Sequence, residues 1–285
     1  MPKALVNGLR LHYQRAGQGP DLVLVHGLAA NVAFWYLAVV PALIGDFRVT
    51  AYDLRGHGYS DMPPSGYTSA DMAADLDALL DHLSVERAHV VGHSFGGAVA
   101  LHHAALRPDR VASLTLADPL VPALQRGRPV RPSPDAEAEL RRLRVSPRGD
   151  SSEAGLELLE ELASAHSPNG VADARAFMPF RAWKGSDQTA ERWRSLLETT
   201  TAREDFGAVA GLTLEQIRSL RQPTLAVFGE RSPWLATGRV LEETLPDCRA
   251  AVIRGVGHFH PLVRPRVFVR HLREFLTSTS DSTLR

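Results

Sequence analysis

The stretch that decides the fold is RAHVVGHSFGGAVALHHAALRP, residues 87–108. Its first part is a mainly apolar run that ends in glycine, which is typical of a strand buried on both faces. Its last part is rich in alanine and leucine and stops at proline, which indicates a helix. The glycines of GHSFGG (92–97) permit a sharp turn between the two. Such a turn is predicted to push the Ser94 hydroxyl out at the edge of a sheet.

Similar apolar runs recur along the chain, and helical patterns separate most of them. These runs are DLVLVHG (21–27), FRVTAYD (47–53), VASLTLADP (111–119), PTLAVFGE (223–230) and CRAAVIRG (248–255). The segment around Asn7-Gly8, KALVNGLRLHYQ, is typical of an antiparallel hairpin. Strands that alternate with helices predict an α/β fold with a mostly parallel, doubly wound sheet of about eight strands.

One region interrupts this alternation. From about Pro119 to Arg221 no segment has a convincing strand pattern, whereas several have helical patterns. The region is too long for a plain loop. The sequence therefore predicts a core of residues 1–118 and 222–285, with residues 119–221 forming a helical cap, or lid, over the sheet.

Composition excludes several classes of protein. The 285 residues carry 32 basic and 32 acidic side chains, a balance that argues against a nucleic-acid binder or a protein of anionic membranes. Cys248 is the single cysteine, so no internal disulfide and no cysteine-based zinc site can form. No signal peptide, membrane-spanning stretch or ligand-spaced histidine cluster is evident. We expect a soluble cytoplasmic protein without metal or cofactor.

A serine hydroxyl is a weak nucleophile unless a base takes its proton. His258, in GVGHF (255–259), follows the last predicted strand and is expected at the same sheet edge as Ser94. His260 is only two residues away, but it leads through Pro261 into the final helix, so His258 is the preferred base. The sequence thus predicts a Ser94–His258 pair.

Backbone amides near Ser94 are candidates for an oxyanion hole. The N–H groups of Leu28, after the first central strand, and of Phe95, after the nucleophile, can point at a developing oxyanion. The neighbouring imidazoles are candidates for the substrate pocket. We favour a structural role for His26, which would tie loops together, and a role as a pocket wall for His93.

The motifs HGLAA (26–30), DLRGHGYSD (53–61), GHSFGG and GVGHF, in this order, resemble the α/β-hydrolase superfamily, in its serine-nucleophile, helical-cap subgroup. The resemblance covers about residues 5–118 and 222–276 and implies hydrolysis. It also implies that Asp53, Arg55, Gly56 and Gly58 shape a structural turn.

The chain departs from the family pattern at the third catalytic residue. The family commonly has an aspartate after the strand that follows the cap, but GERSP (229–233) has Ser232 in that place. A hydroxyl cannot supply the negative charge that orients the imidazole. Some family members place their acid at the strand before the cap, which corresponds to Asp118. We prefer Asp118, and Glu230 is the alternative.

Together these residues predict a serine hydrolase that cleaves a small or medium ester, thioester or lactone through an acyl-enzyme on Ser94. Carbon–carbon bond hydrolysis and cofactor-free oxygenation occur on the same scaffold and remain alternatives. A ligand-binding sensor with little turnover is the non-enzyme alternative, favoured by the missing acid at position 232.

The predicted cap carries two further expectations. Its aromatic side chains are expected to line a pocket for the acyl substrate or to pack the cap on the core. The pocket candidates are Phe177, Phe180 and Trp183. Its first part is rich in arginine, which indicates a solvated helix face or a docking patch for an acidic carrier protein. The arginines are Arg126, Arg128, Arg131, Arg141, Arg142, Arg144 and Arg148.

Overall fold

The computed structural model describes residues 1–125 and 186–282. Eight strands form one sheet in the order β1-β2-β4-β3-β5-β6-β7-β8. The strands are β1 Lys3–Val6, β2 Leu9–Ala16, β3 Asp21–Val25, β4 Arg48–Tyr52, β5 Ala88–His93, β6 Val111–Ala117, β7 Thr224–Gly229 and β8 Cys248–Ile253.

The described helices connect these strands. They are α1 Ala33–Tyr36, α2 Val40–Leu43, α3 Ser69–His82, α4 Phe95–Leu106, α5 Pro122–Gln125, α6 Ser186–Thr199, α7 Ala202–Asp205, α8 Leu214–Ser219, α9 Leu235–Thr244, α10 His260–Val263 and α11 Pro265–Ser282, with a 3₁₀ turn at Pro108–Arg110.

The sheet is antiparallel only at its N-terminal edge. Asn7 (φ 49°) and Gly8 (φ 76°) both occupy the left-handed region, which a tight two-residue hairpin requires. β1 therefore pairs with β2, and β2 pairs antiparallel with β4. Every remaining neighbour pair, from β4 to β8, is parallel. The prediction of a mostly parallel sheet of about eight strands is confirmed.

Helices cover both faces of the sheet, and the sheet separates two apolar clusters of the core. One cluster joins α3 and α4 to one face, and the other joins α1, α2 and α11 to the opposite face. All six residues of β5 are buried, because the strand is central and covered on both sides. Its C-terminal end is thus a rigid base for the turn that follows.

The segment between β6 and β7 is described only in part. It opens with α5 and, from residue 186, continues with α6, α7 and α8, without a strand in its described residues. α6 is held on the core because Arg192 donates to the backbone oxygens of Gly56 and Ser60. Residues 126–185 lie outside the described residues, so the boundaries of a cap stay a prediction. Within residues 1–125 and 186–282, no helix is both long and apolar enough to cross a bilayer.

Candidate active site

Ser94 occupies the turn between β5 and α4. Its backbone has φ 54° and ψ −124°, a strained conformation for a residue with a side chain. The neighbouring strand holds it there, because the Ser94 N–H donates to the Ala117 oxygen (3.0 Å) and the Leu120 N–H donates to the Ser94 oxygen (3.0 Å). Hydrogen bonds to the chain at the end of β6 therefore hold Ser94 in this strained conformation.

The glycines around Ser94 are required by close backbone contacts. A Cβ on Gly92 would lie 2.2 Å from the Gly96 oxygen, and a Cβ on Gly96 would lie 2.4 Å from the Val25 oxygen. Neither position has room for a side chain, so the turn can form only with these small residues.

His258 and Asp118 come together at the same edge of the sheet as Ser94. Asp118 follows β6 and His258 follows β8. His258 Nδ1 lies 3.7 Å from Asp118 Oδ1, and both side chains are buried. This separation is longer than a hydrogen bond, as catalytic contacts often are before substrate binds. The His258 ring packs 4.6 Å from the Trp234 ring.

Three hydrogen bonds fix Asp118. The residue is left-handed (φ 49°), and its N–H donates to the Val227 oxygen (2.8 Å). Its Oδ2 accepts the Gly229 N–H (3.0 Å), and its Oδ1 accepts the Ser232 hydroxyl. The serine in the usual place of the acid therefore donates to a carboxylate that comes from another strand.

The two alternatives to His258 and Asp118 have other contacts. His260 Nε2 lies 3.7 Å from Asp118 Oδ2 and donates to the Val227 oxygen (3.2 Å). Burial lowers the pKa of His260 to about 4, so the ring is neutral at neutral pH. Glu230 is exposed, and its carboxylate accepts the Gly255 N–H (2.8 Å) in the loop before His258.

The loop after β3 lies against Ser94. A Cβ on Gly27 would be only 2.7 Å from the Ser94 Cβ. The His26 ring holds this loop, since Nδ1 donates to the Gly27 oxygen (2.7 Å) and Nε2 accepts the Leu54 N–H (3.1 Å). Leu28, which follows, is buried. The proposed oxyanion donors, Leu28 and Phe95, thus lie on two segments that meet at Ser94.

A second imidazole supports the same loop. His57 Nε2 accepts the Ala29 N–H (3.2 Å), while its Nδ1 donates to the Arg55 oxygen (2.9 Å). Burial lowers the pKa of His57 to about 3 and also lowers the pKa of His26. Both rings are therefore neutral and can accept backbone N–H groups, which keeps the loop fixed before substrate arrives.

His93 connects the turn at Ser94 to the His258 loop. Its Nε2 donates to the His258 backbone oxygen (3.1 Å), and its ring stacks on Phe34 at 4.4 Å. Burial lowers the pKa of His93 well below its ordinary value. The hydrogen bond and the ring contact hold two parts of the site together. Because the ring is only 2% exposed, its role as a pocket wall stays a prediction.

The turn after β4 is organised by Asp53. This buried carboxylate accepts the His12 Nδ1–H (2.7 Å), the Val32 N–H (2.7 Å) and the Tyr59 N–H (2.8 Å). Burial favours protonation, but these hydrogen bonds outweigh it and lower the pKa of Asp53. A Cβ on Gly58 would lie 2.1 Å from Asp53 Oδ2, so glycine is needed there.

Some predicted residues cannot be placed. Phe177, Phe180 and Trp183, and the arginines from 126 to 148, lie outside the described residues. In the part of the chain that is described, no three histidine, cysteine, aspartate or glutamate side chains form a group that could hold a metal.

Two residues of the site were not predicted. The sequence pattern marks Ser232 only as a missing acid, although a serine hydroxyl can donate a hydrogen bond to a carboxylate from another segment. Trp234 packs on His258, and no sequence signal distinguishes it from an ordinary core tryptophan.

The sequence profile of the α/β hydrolase fold family matches residues 20–265. The chain belongs to the α/β-hydrolase family. A putative carbamate hydrolase RutD from Variovorax paradoxus is 29% identical over 284 residues, which cover 95% of this chain and 97% of the relative. A soluble epoxide hydrolase from Corynebacterium is 41% identical over 122 residues, but the match spans only 43% of this chain and 42% of that enzyme.

Solved structures extend the likeness to the whole fold. The structure of Est816, described as an N-acyl homoserine lactone degrading enzyme, has a TM-score of 0.70 and 27% identity, and the match covers 96% of this chain and 100% of that one. The relatives with these descriptions are hydrolases on the same α/β scaffold.

Proposed function

We propose that this α/β-hydrolase cleaves a small or medium ester or lactone through an acyl-enzyme on Ser94. The observation that carries the proposal is the strained turn that presents Ser94 at the sheet edge where the His258–Asp118 pair lies. A serine nucleophile attacks carbonyl carbon, so the chemistry is acyl transfer.

The cycle begins when Ser94 Oγ attacks the carbonyl carbon and His258 takes the hydroxyl proton. The oxyanion is stabilised by the Leu28 and Phe95 amides, and Asp118 stabilises the imidazolium. The tetrahedral intermediate collapses, the bond to the leaving oxygen breaks, and His258 returns the proton to that oxygen. Water then attacks the acyl carbonyl while His258 takes its proton. The bond from the acyl carbon to Ser94 Oγ breaks, His258 returns the proton to that oxygen, and the acid is released.

Two similarities to other proteins support esters and lactones as the substrate class. The similarity to a lactone-degrading enzyme covers nearly the whole chain. The carbamate hydrolase relative also acts, by its description, on a carbonyl bonded to a heteroatom. A lactone opens by the same attack as an ester, and its leaving alcohol stays attached to the acyl group.

Fluorophosphonate labelling and a substrate panel test the proposal. We expect stoichiometric labelling of the wild type and none of Ser94→Ala, with Ser65→Ala, an exposed serine, as the matched control. The panel compares p-nitrophenyl esters, acyl thioesters and lactones of equal acyl length. Turnover of esters and lactones that disappears in Ser94→Ala supports the proposal. An unlabelled Ser94, or turnover that persists in Ser94→Ala, would contradict it.

A further inference from the structure

An aromatic cluster links the two backbone segments that carry the proposed oxyanion donors. At its centre is Phe206, which follows α7 and is 1% exposed. The Phe206 ring packs edge to face on the Phe95 ring at 5.4 Å. It also stacks on the Trp193 ring of α6, at 5.6 Å and an angle of 9°. Phe206 therefore contacts directly the residue whose N–H is one of the two proposed donors.

The other donor segment is reached through a histidine. The Trp193 ring lies 5.9 Å from the His57 ring, and the Phe206 ring lies 6.5 Å from it. His57 Nε2 accepts the N–H of Ala29, the residue after Leu28. Ala29 has φ 55°, a left-handed conformation that residues with a side chain rarely adopt. The loop therefore needs the hydrogen bond to His57 to keep this conformation.

Ring packing decides where the His57 imidazole lies. Of the rings packed against it in the described part of the chain, His26 belongs to the loop after β3, whereas Trp193 and Phe206 come from the segment between β6 and β7. Buried side chains are close-packed, so removing one ring lets its neighbours shift into the space. Loss of the Phe206 ring would therefore release Trp193 and, through it, His57.

Phe206 is itself held on the core by α7. The Thr201 N–H, just before this helix, donates to the Pro64 oxygen (3.0 Å). The Asp205 carboxylate, at the end of the helix, accepts the Tyr67 N–H (2.9 Å). The Phe206 ring also packs 6.1 Å from the Tyr67 ring. Contacts at both ends of α7 thus fix the position from which Phe206 enters the cluster.

We propose that Phe206 is a positioning residue for the oxyanion hole. It holds the Phe95 segment directly and holds the Leu28 segment through Trp193 and His57, so that the two amides keep their relative position. The inference rests on the proposed acyl transfer at the turn, since an oxyanion intermediate needs both amides together. It gives α6 and α7 a part in stabilising the transition state.

Kinetics of Phe206→Leu test the proposal. The substitution removes the ring but keeps an apolar side chain. We expect kcat on the best ester to fall about tenfold to a hundredfold with KM changed less than about twofold, because a displaced donor weakens the transition state more than the bound ester. The rate at which a fluorophosphonate labels Ser94 should fall by a similar factor, since its phosphoryl oxygen uses the same amides.

Amide hydrogen exchange tests the same role without turnover. In Phe206→Leu, the Ala29 amide proton, which is bonded to His57, should exchange about tenfold faster than in the wild type. The Val32 amide proton is bonded to Asp53 instead, so its exchange rate should not change. NMR spectra recorded during exchange separate the two positions and make Val32 an internal control.

Two further variants complete the test. Phe275→Leu is the matched control, because Phe275 is a buried phenylalanine in the cluster on the opposite face of the sheet. It should lower stability but leave kcat, labelling and Ala29 exchange unchanged. If Phe206→Leu fails to fold, Trp193→Leu breaks the same path at the next ring. It should lower kcat about tenfold and speed Ala29 exchange.

Failure of this inference is distinguishable from failure of the proposed function. An unlabelled Ser94 in the wild type would contradict the proposed function. With Ser94 labelled in the wild type, a wild-type labelling rate or wild-type Ala29 exchange in Phe206→Leu would overturn the role of Phe206. Equal changes in Phe275→Leu would overturn it as well, since they would reflect only a general loss of stability.

Discussion

Two of the buried histidine–carboxylate pairs among the described residues, His12–Asp53 and His258–Asp118, are built differently. His12 and Asp53 form a 2.7 Å hydrogen bond, and Asp53 also accepts two backbone N–H groups. His258 and Asp118 are 3.7 Å apart, and no described group hydrogen-bonds to His258 Nδ1. The tight pair joins β2 to the turn after β4, whereas the looser one lies at the same sheet edge as Ser94.

A short hydrogen bond between a histidine and a carboxylate therefore does not identify the pair that we propose as catalytic. Asp53 uses its oxygens to fix three segments of chain, so its pair is suited to stability. Asp118 is itself fixed, whereas the His258 ring packs against Trp234 and has no hydrogen bond at Nδ1 among the described residues. The predictions below separate these two roles.

The largest expected effect is on turnover. Asp118→Asn should lower kcat by about 10³–10⁴-fold, because an amide cannot stabilise the imidazolium or fix its tautomer. Steady-state kinetics on the best ester measure the loss. Glu230→Gln is the control and should change kcat less than twofold. If only Glu230→Gln abolished turnover, the acid would be misassigned.

The tight pair should respond in stability instead. Asp53→Asn should lower the free energy of unfolding by about 3 kcal/mol or more, since it breaks a buried, hydrogen-bonded pair. Urea unfolding followed by circular dichroism measures it. Asp81→Asn, whose side chain is 69% exposed, should change stability by less than about 0.5 kcal/mol. If Asp53→Asn were as stable as the wild type but lost kcat as Asp118→Asn is expected to, the roles assigned to the two carboxylates would be wrong.

A smaller effect is expected at the hydroxyl that holds Asp118. Ser232→Ala should lower kcat about tenfold with little change in KM, because the carboxylate loses one of its donors. The acid limb of the pH–kcat profile should also shift, which a purely structural role would not cause. An unchanged profile with an unchanged kcat would show that the Ser232 hydroxyl is dispensable.

The same position offers a rescue. Introducing Ser232→Asp into Asp118→Asn returns a carboxylate to the place where the family commonly has one. We expect the double variant to recover at least tenfold of the lost kcat, measured on the same ester. No recovery would mean that His258 can be oriented only from the end of β6.

The smallest effect concerns pH and a histidine far from both pairs. Burial lowers the pKa of His89 from 6.5 to about 4. The unfolded chain therefore binds a proton that the folded chain does not, and stability falls as the pH drops from 6.5 to about 4. His89→Gln should reduce this slope by up to about 1.4 kcal/mol per pH unit. His82→Gln, at an exposed site, should leave it unchanged.

What could be predicted from the sequence depended on local structure. The turn at Ser94 and the hairpin at Asn7-Gly8 are set by neighbouring residues, so both were predicted. The position of His258 at the same sheet edge as Ser94 followed from the rule that the carboxyl ends of parallel strands lie at one edge. The choice between Asp118 and Glu230 could not follow from it, because it depends on side-chain directions.

Other features left no local signal. The pairing of His12 with Asp53 joins residues 41 positions apart, and each is unremarkable in its own segment. Such contacts depend on how distant elements meet, which periodicity does not encode.

The hydrogen bonds from Arg192 to the core have a consequence for engineering. Both of its acceptors, at Gly56 and Ser60, are main-chain oxygens, which every amino acid supplies. These two hydrogen bonds therefore depend on the backbone path of the turn and not on its side chains. A foreign turn that follows the same path should therefore keep both hydrogen bonds, but it would still need glycine at position 56, where a Cβ would lie 2.6 Å from Leu196 Cδ1 of α6.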